Sequence, residues 1–553
     1  MDVVMVGLPG SGKSVVGRRL ANRHAAAFID LDERIESTAG RSIAEIFEAD
    51  GETAFRSLER AAIASLGPPD PDTEVRRVVS TGGGSIVDPR NRWALYHDRT
   101  AVWLHGRPEV LAQRLRRSPN VRPLVTGRDP IGAIRDLGAK RERFYAAARI
   151  HQFGVGEVRG VVDAVEEALA GLGATAGTTL LRADTPIGRV TMGQGIAAEA
   201  LDAALSLARA RRAILVSEPG AWHAVGERLA TDLRERGRDV VQVLLPEGEA
   251  AKRLEVIEVA ARELAAQRVE RSETIVAIGG GGLGDAAGFL AAIYLRGIRY
   301  VQVPTTLVAQ IDSAIGGKTG VDLPEGKNLL GAFHQPSAVI IDVDVLRTLP
   351  ERQMRAALGE AVKMAVLGDE RLFELLETDG PAIARVDPGI FATGVLAELV
   401  ERAGWAKVEV VVADEREHGS AGGRIVLNLG HSLGHAVEAA AGYGGLLHGE
   451  AVAHGLRAAA RIGATMGVTP PERAARIERL LDTLELATEP LPYPLEAVLD
   501  HLATDKKHRA GRLRWVLPTA DGVVVRDDVD PATVEQVAAG LLAAGAAGTR
   551  APR

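Results

Sequence analysis

Short runs of β-branched and aliphatic residues alternate with charged amphipathic stretches along the first third of the chain. Val3 to Val6 leads into Val15 to Asn22, Val78 to Ser80 follows a long helical stretch, and Val102 to Leu104 precedes Glu109 to Arg117. Apolar runs of this length predict strands buried on both faces, and the amphipathic stretches between them predict covering helices. The expectation is a parallel sheet wrapped by helices. After a helix-like stretch from Val161 to Ala170 the chain becomes small and uncharged from Gly171 to Gly177, which predicts a linker. The alternation then resumes, with strands expected at Ala213 to Val216, Val240 to Leu244, Thr274 to Ile278, Tyr300 to Val303 and Val339 to Ile341. Beyond Asp344 the strand signal mostly stops, and Ala-, Leu-, Glu- and Arg-rich stretches to about Ala487 predict a helical lobe. The expected organisation is a domain over 1–170, a linker over 171–177, an α/β lobe over 178–344 and an all-helical lobe over 345–545.

Composition narrows the possibilities. With 46% hydrophobic and 25% charged residues the chain is an ordinary globular one, and 553 residues predict two or three domains. Its 66 basic and 73 acidic residues give a net charge of −7, so no global basic field attracts nucleic acid or an anionic membrane, and any anion site must be local. Zero cysteines remove disulfides and thiolate ligands, leaving histidine and carboxylate as metal-binding groups and fitting a cytoplasmic setting. The start reads as no signal peptide, and no apolar run reaches about 18 residues, so no membrane span is expected. Glycine is in excess, 62 of 553 residues, and its clusters lead to the chemistry.

Gly7 to Ser14 reads GLPGSGKS, a phosphate-loop spacing between a strand candidate and a helix candidate. Small residues there let backbone N–H groups of Gly10, Ser11, Gly12 and Val15 approach phosphate, Lys13 adds a point charge, and the Ser14 hydroxyl can ligate magnesium. A glycine turn that merely precedes a lysine is the bland alternative. IDLDERIE with Asp30 and Asp32, DGETAFRSLE with Arg56, STGGGSIV with Gly82, Gly83 and Gly84, VRPL with Arg122, and KRERFY with Arg141 follow. Taken together, residues 1–170 resemble shikimate kinase, a P-loop NTPase-like α/β fold. The resemblance implies that Asp30 holds a water on Mg2+, and that Asp32, Arg56, Arg141 and Gly82 to Gly84 grip shikimate. It also brings Arg122 from a lid to the transferring phosphoryl group, and Arg117 to ATP, with only SPNV between the two arginines. Catalysis would fall to Lys13, Asp32 and Arg122. Taken singly, Asp32 could be a helix-start acid, Arg56 a partner of Glu52 or Glu59, and the glycine triplet a strand end.

In the second half, IVAIGGGGLGDAAGF from Ile275 sets four glycines after a strand candidate, as a pyrophosphate cradle requires. VPTT, DSAIGGKTGVD and EGKNLLGAFHQP follow and add Lys318, Lys327 and Asn328. His431 and His435 are four apart and would share a helix face, His448 lies downstream, and Glu360 offers the carboxylate that would complete a His2Glu zinc site. Two surface histidines, and a Glu360–Lys363 ion pair at i, i+3, are the alternatives. From about Thr178 to Gly540 the set resembles 3-dehydroquinate synthase, a Rossmann-like NAD-binding lobe followed by a helical metal-binding lobe.

That resemblance implies Glu360, His431 and His448 as ligands of Zn2+ or Co2+, with His435 as an outer or substrate-phosphate partner. Asp312, Lys318, Lys363, Lys407, Arg424, Asn428 and Lys506 would meet the substrate, with Asp312, Lys318, Lys363 and His435 catalytic. NAD would be held by Glu249, Lys252, Gly280, Gly281, Asp285, Thr305, Thr306, Lys327, Asn328 and Thr348. Arg296 would bind substrate phosphate, in the family across a dimer interface, so a homodimer through this half is expected. Gly282 stands where a β-branched residue is usual, and Ser217 with Glu218 replace the usual Asp or Asn pattern. The implied function is bifunctional: ATP-dependent phosphorylation of shikimate, and conversion of 3-deoxy-D-arabino-heptulosonate 7-phosphate to 3-dehydroquinate and phosphate with no net redox. The competing reading is an NAD- and metal-dependent polyol dehydrogenase joined to a regulatory nucleotide-binding module.

Overall fold

The computed structural model describes residues 1–70, 73–117, 129–173, 177–417, 423–442, 445–488, 490–504, 508–509 and 512–542; Arg122 and Lys506 lie outside them. The chain forms two compact units, Met1–Asp184 with Val190–Ile196, and Thr185–Arg189 with Ala197–Arg553.

The first unit is built on a five-stranded sheet of β1 (Asp2–Val6), β2 (Ala27–Asp30), β3 (Arg77–Ser80), β4 (Thr100–His105) and β5 (Ile150–Phe153), in the order β2-β3-β1-β4-β5. Every pairing is parallel. Val3 to Val6 are fully buried because helices lie on both faces of the central strand. On one face, Val16 and Leu20 of the helix Lys13–Arg23 pack with Val161, Val162 and Val165 of the helix Val158–Ala170. The edge strands β2 and β5 escaped the apolar pattern because they are only half buried and mix Asp30, His151 and Gln152 with apolar residues. Strands β6 (Thr178–Thr185) and β7 (Gly188–Gln194) follow.

In the second unit the five expected strands form as β8 (Arg212–Ser217), β9 (Asp239–Leu244), β10 (Thr274–Gly279), β11 (Arg299–Pro304) and, after the antiparallel hairpin β12 (Lys318–Leu323) and β13 (Gly326–Phe333), β14 (Ala338–Asp342). They run parallel in the order β14-β11-β10-β8-β9. The chain moves outward from β8 to β9 and then back past β8 to β10. That reversal opens a crevice at the C-terminal ends of β8 and β10, where doubly wound sheets bind ligands. The hairpin was not anticipated, since its glycines and polar residues interrupt any period-2 pattern.

The remaining lobe is mainly helical, with Glu351–Val366, Glu370–Ala384, Val395–Ala413, His431–Ala440 and His448–Thr465 among its helices, and it also holds a hairpin of Trp515–Pro518 and Val523–Arg526. Two helix crossings are unusually close. A methyl group on Gly449 would fall 1.9 Å from the Ala356 carbonyl oxygen, and one on Gly455 would fall 1.7 Å from that of Gly430. Each crossing places glycine beside a candidate ligand: Gly449 follows His448, and Gly430 precedes His431. Among the described residues no helix is long and apolar enough to cross a membrane.

Candidate active sites

The phosphate loop leaves β1 and enters the helix Lys13–Arg23 through Gly10 and Gly12, both left-handed at φ 81° and 96°. No side chain caps that helix, so its first amides face the loop. Lys13 is buried and donates to the Gly7 and Leu8 carbonyls at 2.9 and 3.2 Å, while Ser14 Oγ lies 3.1 Å from Ser80 Oγ. Asp30 closes β2 and caps the next helix, its Oδ1 accepting from the Asp32 and Glu33 amides at 3.0 and 3.4 Å.

The glycine triplet after β3 gathers the acceptor candidates. A methyl on Gly82 would lie 3.0 Å from Asp32 Oδ1, and one on Gly84 would lie 2.9 Å from Arg56 Nη2. The Gly83 carbonyl accepts from Arg141 Nη1 at 2.9 Å and from the Tyr145 hydroxyl at 2.5 Å. Because a methyl on Gly83 would touch Pro9 Cδ at 2.9 Å, the acceptor turn abuts the phosphate loop. Asp32, Arg56, Arg141 and the triplet thus converge, as a donor–acceptor pair of sites requires. Arg56 also makes both ion pairs envisaged as alternatives, to Glu52 at 3.0 Å and to Glu59 at 2.7 Å. Glu59, named in the sequence only as a possible partner of Arg56, is 2% exposed and also accepts from Ser85 Oγ at 2.7 Å. Arg117 is exposed at a helix end, whereas Arg114 reaches the Gly154 and Gly10 carbonyls at 2.9 and 3.4 Å. The candidate Arg122 cannot be placed, being outside the described residues.

In the second unit the glycine turn opens the helix Gly281–Ile293 at the crevice, again with no side-chain cap. A methyl on Gly281 would lie 2.7 Å from Ser313 Oγ and one on Gly280 3.2 Å from Thr306 Cγ2, so backbone is bare where a pyrophosphate could approach. Uncapped amides and that bare backbone fit a dinucleotide. Lys252 binds Asp285 at 2.9 Å and also donates to Asn328 Oδ1, while the Asn328 amide donates to Asp322 Oδ1 at 2.7 Å. Burial raises the Asp285 carboxyl to about 6 despite Lys252 beside it. The Thr305 amide donates to the Gly279 carbonyl at 2.9 Å, and Glu249 lies 3.8 Å from Lys327. Thr348 uses its hydroxyl within its own turn, on the Val345 carbonyl at 3.1 Å. A side chain at Gly282 would meet only ordinary contacts, 3.4 Å to the Gly248 carbonyl oxygen, so the glycine is not sterically required there. Glu218 accepts from the Gly248 amide at 2.7 Å at the end of β8. Arg296 is exposed, in a left-handed turn with Leu295.

Three imidazoles converge downstream: the ligand atoms of His431, His435 and His448 lie within 4.8 Å of one another. Glu360 Oε1 lies 3.5 Å from His431 Nε2 and 3.2 Å from His448 Nε2, and Glu360 is fully buried. Its Oε2 pairs with Lys363 Nζ, so one oxygen of this buried carboxylate faces two imidazoles and the other an ammonium. Such a donor set fits a divalent metal with mixed nitrogen and oxygen ligands. Outer contacts orient the rings: His431 Nδ1 faces the Leu429 carbonyl at 3.1 Å, and His448 Nδ1 faces Glu438 Oε2 at 3.2 Å. Burial alone would lower His448, but Glu360 and Glu438 together raise it to about 10.

Beside the histidines, Lys363 bridges Glu360 and Asp312, and Lys407 donates to Asp312 at 2.7 Å. Burial opposes ionisation of Asp312, yet Lys363 and Lys407 hold its carboxyl well below the usual range. Burial also brings Lys407 down to about 8, with Lys363 and Arg424 adding to the shift and Asp312 opposing it. Arg424 is buried against Gly316, whose carbonyl it reaches at 3.2 Å, and Asn428 ends the same short helix, Arg424–Asn428. Lys318 pairs with Glu417, which also lies 3.8 Å from Arg424. Glu417 and Glu438 were both missed in the sequence. Glu438 was legible in principle, being at i+7 and i+3 from His431 and His435 on one helix face. Lys506 is not described.

Comparison with known proteins assigns the parts. Residues 9–169 match the family described as shikimate kinase, residues 242–356 that described as 3-dehydroquinate synthase N-terminal, and residues 357–508 that described as 3-dehydroquinate synthase C-terminal. The 3-dehydroquinate synthase of Nostoc punctiforme is 46% identical over 334 residues, 60% of this chain and 90% of that relative. Among solved structures, a 2-epi-5-epi-valiolone synthase from Streptomyces hygroscopicus with NAD+ and Zn2+ bound is 30% identical with TM-score 0.55, over 60% of this chain and 90% of that one. A 2-deoxy-scyllo-inosose synthase complexed with carbaglucose-6-phosphate, NAD+ and Co2+ is 26% identical with TM-score 0.58, over 64% of this chain and 97% of that one. The chain therefore belongs, over its larger part, to the 3-dehydroquinate synthase family, and it carries a shikimate-kinase-like domain ahead of that part.

Proposed function

We propose that the first unit phosphorylates the 3-hydroxyl of shikimate from MgATP, and that the rest converts 3-deoxy-D-arabino-heptulosonate 7-phosphate to 3-dehydroquinate and phosphate. The observation that carries the synthase reading is the cluster of three imidazoles with Glu360, joined through Lys363 to the Asp312–Lys407 pair, next to a glycine turn that fits a dinucleotide. When bound, NAD and the divalent ion supply a transient hydride acceptor and a Lewis acid. The chain's own residues do the rest. Glu360, His431 and His448 hold the ion. Lys318, Lys363, Lys407 and Arg424 neutralise a substrate bearing both carboxylate and phosphate, and Asp312 Oδ1 holds the two buried lysines side by side by offsetting their mutual repulsion. His435 packs against both His431 and His448, with ring centroids at 5.2 and 5.8 Å, and is placed to hold a proton for the departing phosphate. In the kinase, Lys13 leaves the loop carbonyls for phosphate, Asp32 takes the acceptor diol, and Arg56 and Arg141 take the carboxylate. A cytoplasmic homodimer belongs to the same reading, supported by the lack of cysteine and by the family.

The decisive test measures phosphate release from the heptulosonate phosphate with and without NAD and metal. Both are expected to be required and NADH is expected not to accumulate; stoichiometric NADH sinks the synthase reading. ADP formation is expected to depend on shikimate.

A pH dependence follows from Lys407. Its amine is protonated below about 8 and neutral above, so an anionic substrate loses one counter-charge as pH rises through that value. In the free enzyme kcat/KM is expected to fall on the alkaline side with a limb near 8. In Lys407→Met that limb disappears, and kcat/KM is low at every pH. A limb unchanged in Lys407→Met assigns it to another group.

A further inference from the structure

We infer that Glu438 is a positioning residue that couples occupancy of the dinucleotide site to occupancy of the metal site, an inference that rests on the reading above. Its side chain is shared by two groups: Oε2 faces His448 Nδ1 at 3.2 Å, and Oε1 accepts from Lys327 Nζ at 2.8 Å. Lys327 stands in β13 next to Asn328, which Lys252 ties to Asp285 near the start of the glycine-turn helix. One buried carboxylate therefore spans the distance between the residues of the two candidate sites.

The sign of the coupling follows from sharing one negative charge. A cation held on His448 Nε2 draws electron density from the ring and polarises Nδ1–H, which strengthens its bond to Glu438. Glu438 then holds Lys327 less tightly, and the ammonium is released toward an anionic dinucleotide. In the other direction, a pyrophosphate that engages Lys327 leaves Glu438 to His448 alone, which makes the imidazole a better ligand. Both directions favour joint occupancy, as thermodynamic linkage requires. Nothing in this argument needs a movement of the backbone.

The test uses the full chain, Zn2+ and NAD, and reads binding rather than turnover. NAD affinity is measured by calorimetry on metal-free and Zn2+-saturated protein, and Zn2+ affinity by chelator competition with and without NAD. In the wild type Zn2+ is expected to tighten NAD by about fivefold or more, with the same factor in the reciprocal experiment. In Glu438→Gln the factor is expected to fall to one, and Zn2+ affinity without NAD to fall about 10- to 100-fold, as for loss of an outer partner of a ligating histidine. Lys327→Met separates coupling from damage to the metal site: the factor again falls to one, while Zn2+ affinity without NAD does not weaken and moves toward that of the NAD-bound wild type, because Glu438 is left to His448 alone. A wild-type factor of one, or a factor that persists in Glu438→Gln or Lys327→Met, overturns the coupling and leaves the two sites standing. A wild type that takes up neither Zn2+ nor NAD overturns the underlying reading as well.

Discussion

The His431→Ala variant is expected to lose heptulosonate-phosphate turnover by on the order of 10³-fold or more while its shikimate-dependent ADP formation stays at the wild-type rate. Lys13→Ala is expected to give the reverse pattern. The magnitude follows from what each side chain holds: a metal acting as Lewis acid contributes several kcal/mol to a developing alkoxide, and each ~1.4 kcal/mol is a factor of ten in rate. His431 is nearly buried, and its Nδ1 is oriented by the Leu429 carbonyl, so alanine removes one proposed ligand from an aligned set. Lys13 is a buried cation on a loop of otherwise neutral backbone donors, and no other described lysine lies in that loop. Independence follows because the phosphate loop and the histidine cluster belong to different units, each with its own apolar core, the first around Val3, Leu20 and Val162, the second around Ile214, Ile275 and Leu290. Both steady-state assays run on each variant decide the matter. Silence of both activities in either one contradicts two separately acting sites.

Gly449→Ala is expected to destabilise the synthase part by about 3 kcal/mol or more and to abolish Zn2+ uptake. Helix propensity alone predicts the opposite, since Gly to Ala inside a helix gains up to ~1 kcal/mol. Sterics decide the sign: the new methyl would sit 1.9 Å from the Ala356 carbonyl oxygen and 2.7 Å from its carbon, and both are backbone that no rotamer can move. Overpacking a tight interior costs about 1–3 kcal/mol even where side chains can yield. The helices that must separate are those bearing Glu360 and His448, so ligand spacing changes with them. Gly160→Ala is the control. That glycine is exposed in the helix Val158–Ala170, nothing lies within 4 Å of its added methyl, and a gain of up to ~1 kcal/mol is expected. Thermal unfolding and chelator competition on both variants check the pair; a Gly449→Ala protein that binds Zn2+ like the wild type would refute the crossing as the device that sets ligand spacing.

The two glycine sets show how far the sequence reaches. Gly10 and Gly12 could be assigned to phosphate from the sequence because a strand, a loop of fixed length and a helix are consecutive, and the chemistry follows from local order. Gly430, Gly449 and Gly455 carry no such signal, because what they avoid is a backbone carbonyl on another helix. The histidines divide in the same way. His431 and His435 were placed on one face by their spacing, whereas Glu360, 71 positions upstream of His431, was only a carboxylate that would complete the set, and its approach appears as a distance only in the fold.

By itself the sequence determined the alternation that makes β1 to β5, and β8 to β11 with β14, run parallel, the strands whose apolar runs are long enough to be buried, the phosphate loop, and the identity of the cations and imidazoles. These are consequences of period and neighbour order, which the chain states directly. Tertiary structure alone decided which charges share a partner across the chain: Lys363 and Lys407 on Asp312, and Glu438 between His448 and Lys327. Coulombic and hydrogen-bonding partners are fixed by distance and burial, and residues more than a hundred positions apart, such as Lys327 and Glu438, acquire both only when the helical lobe closes on the hairpin.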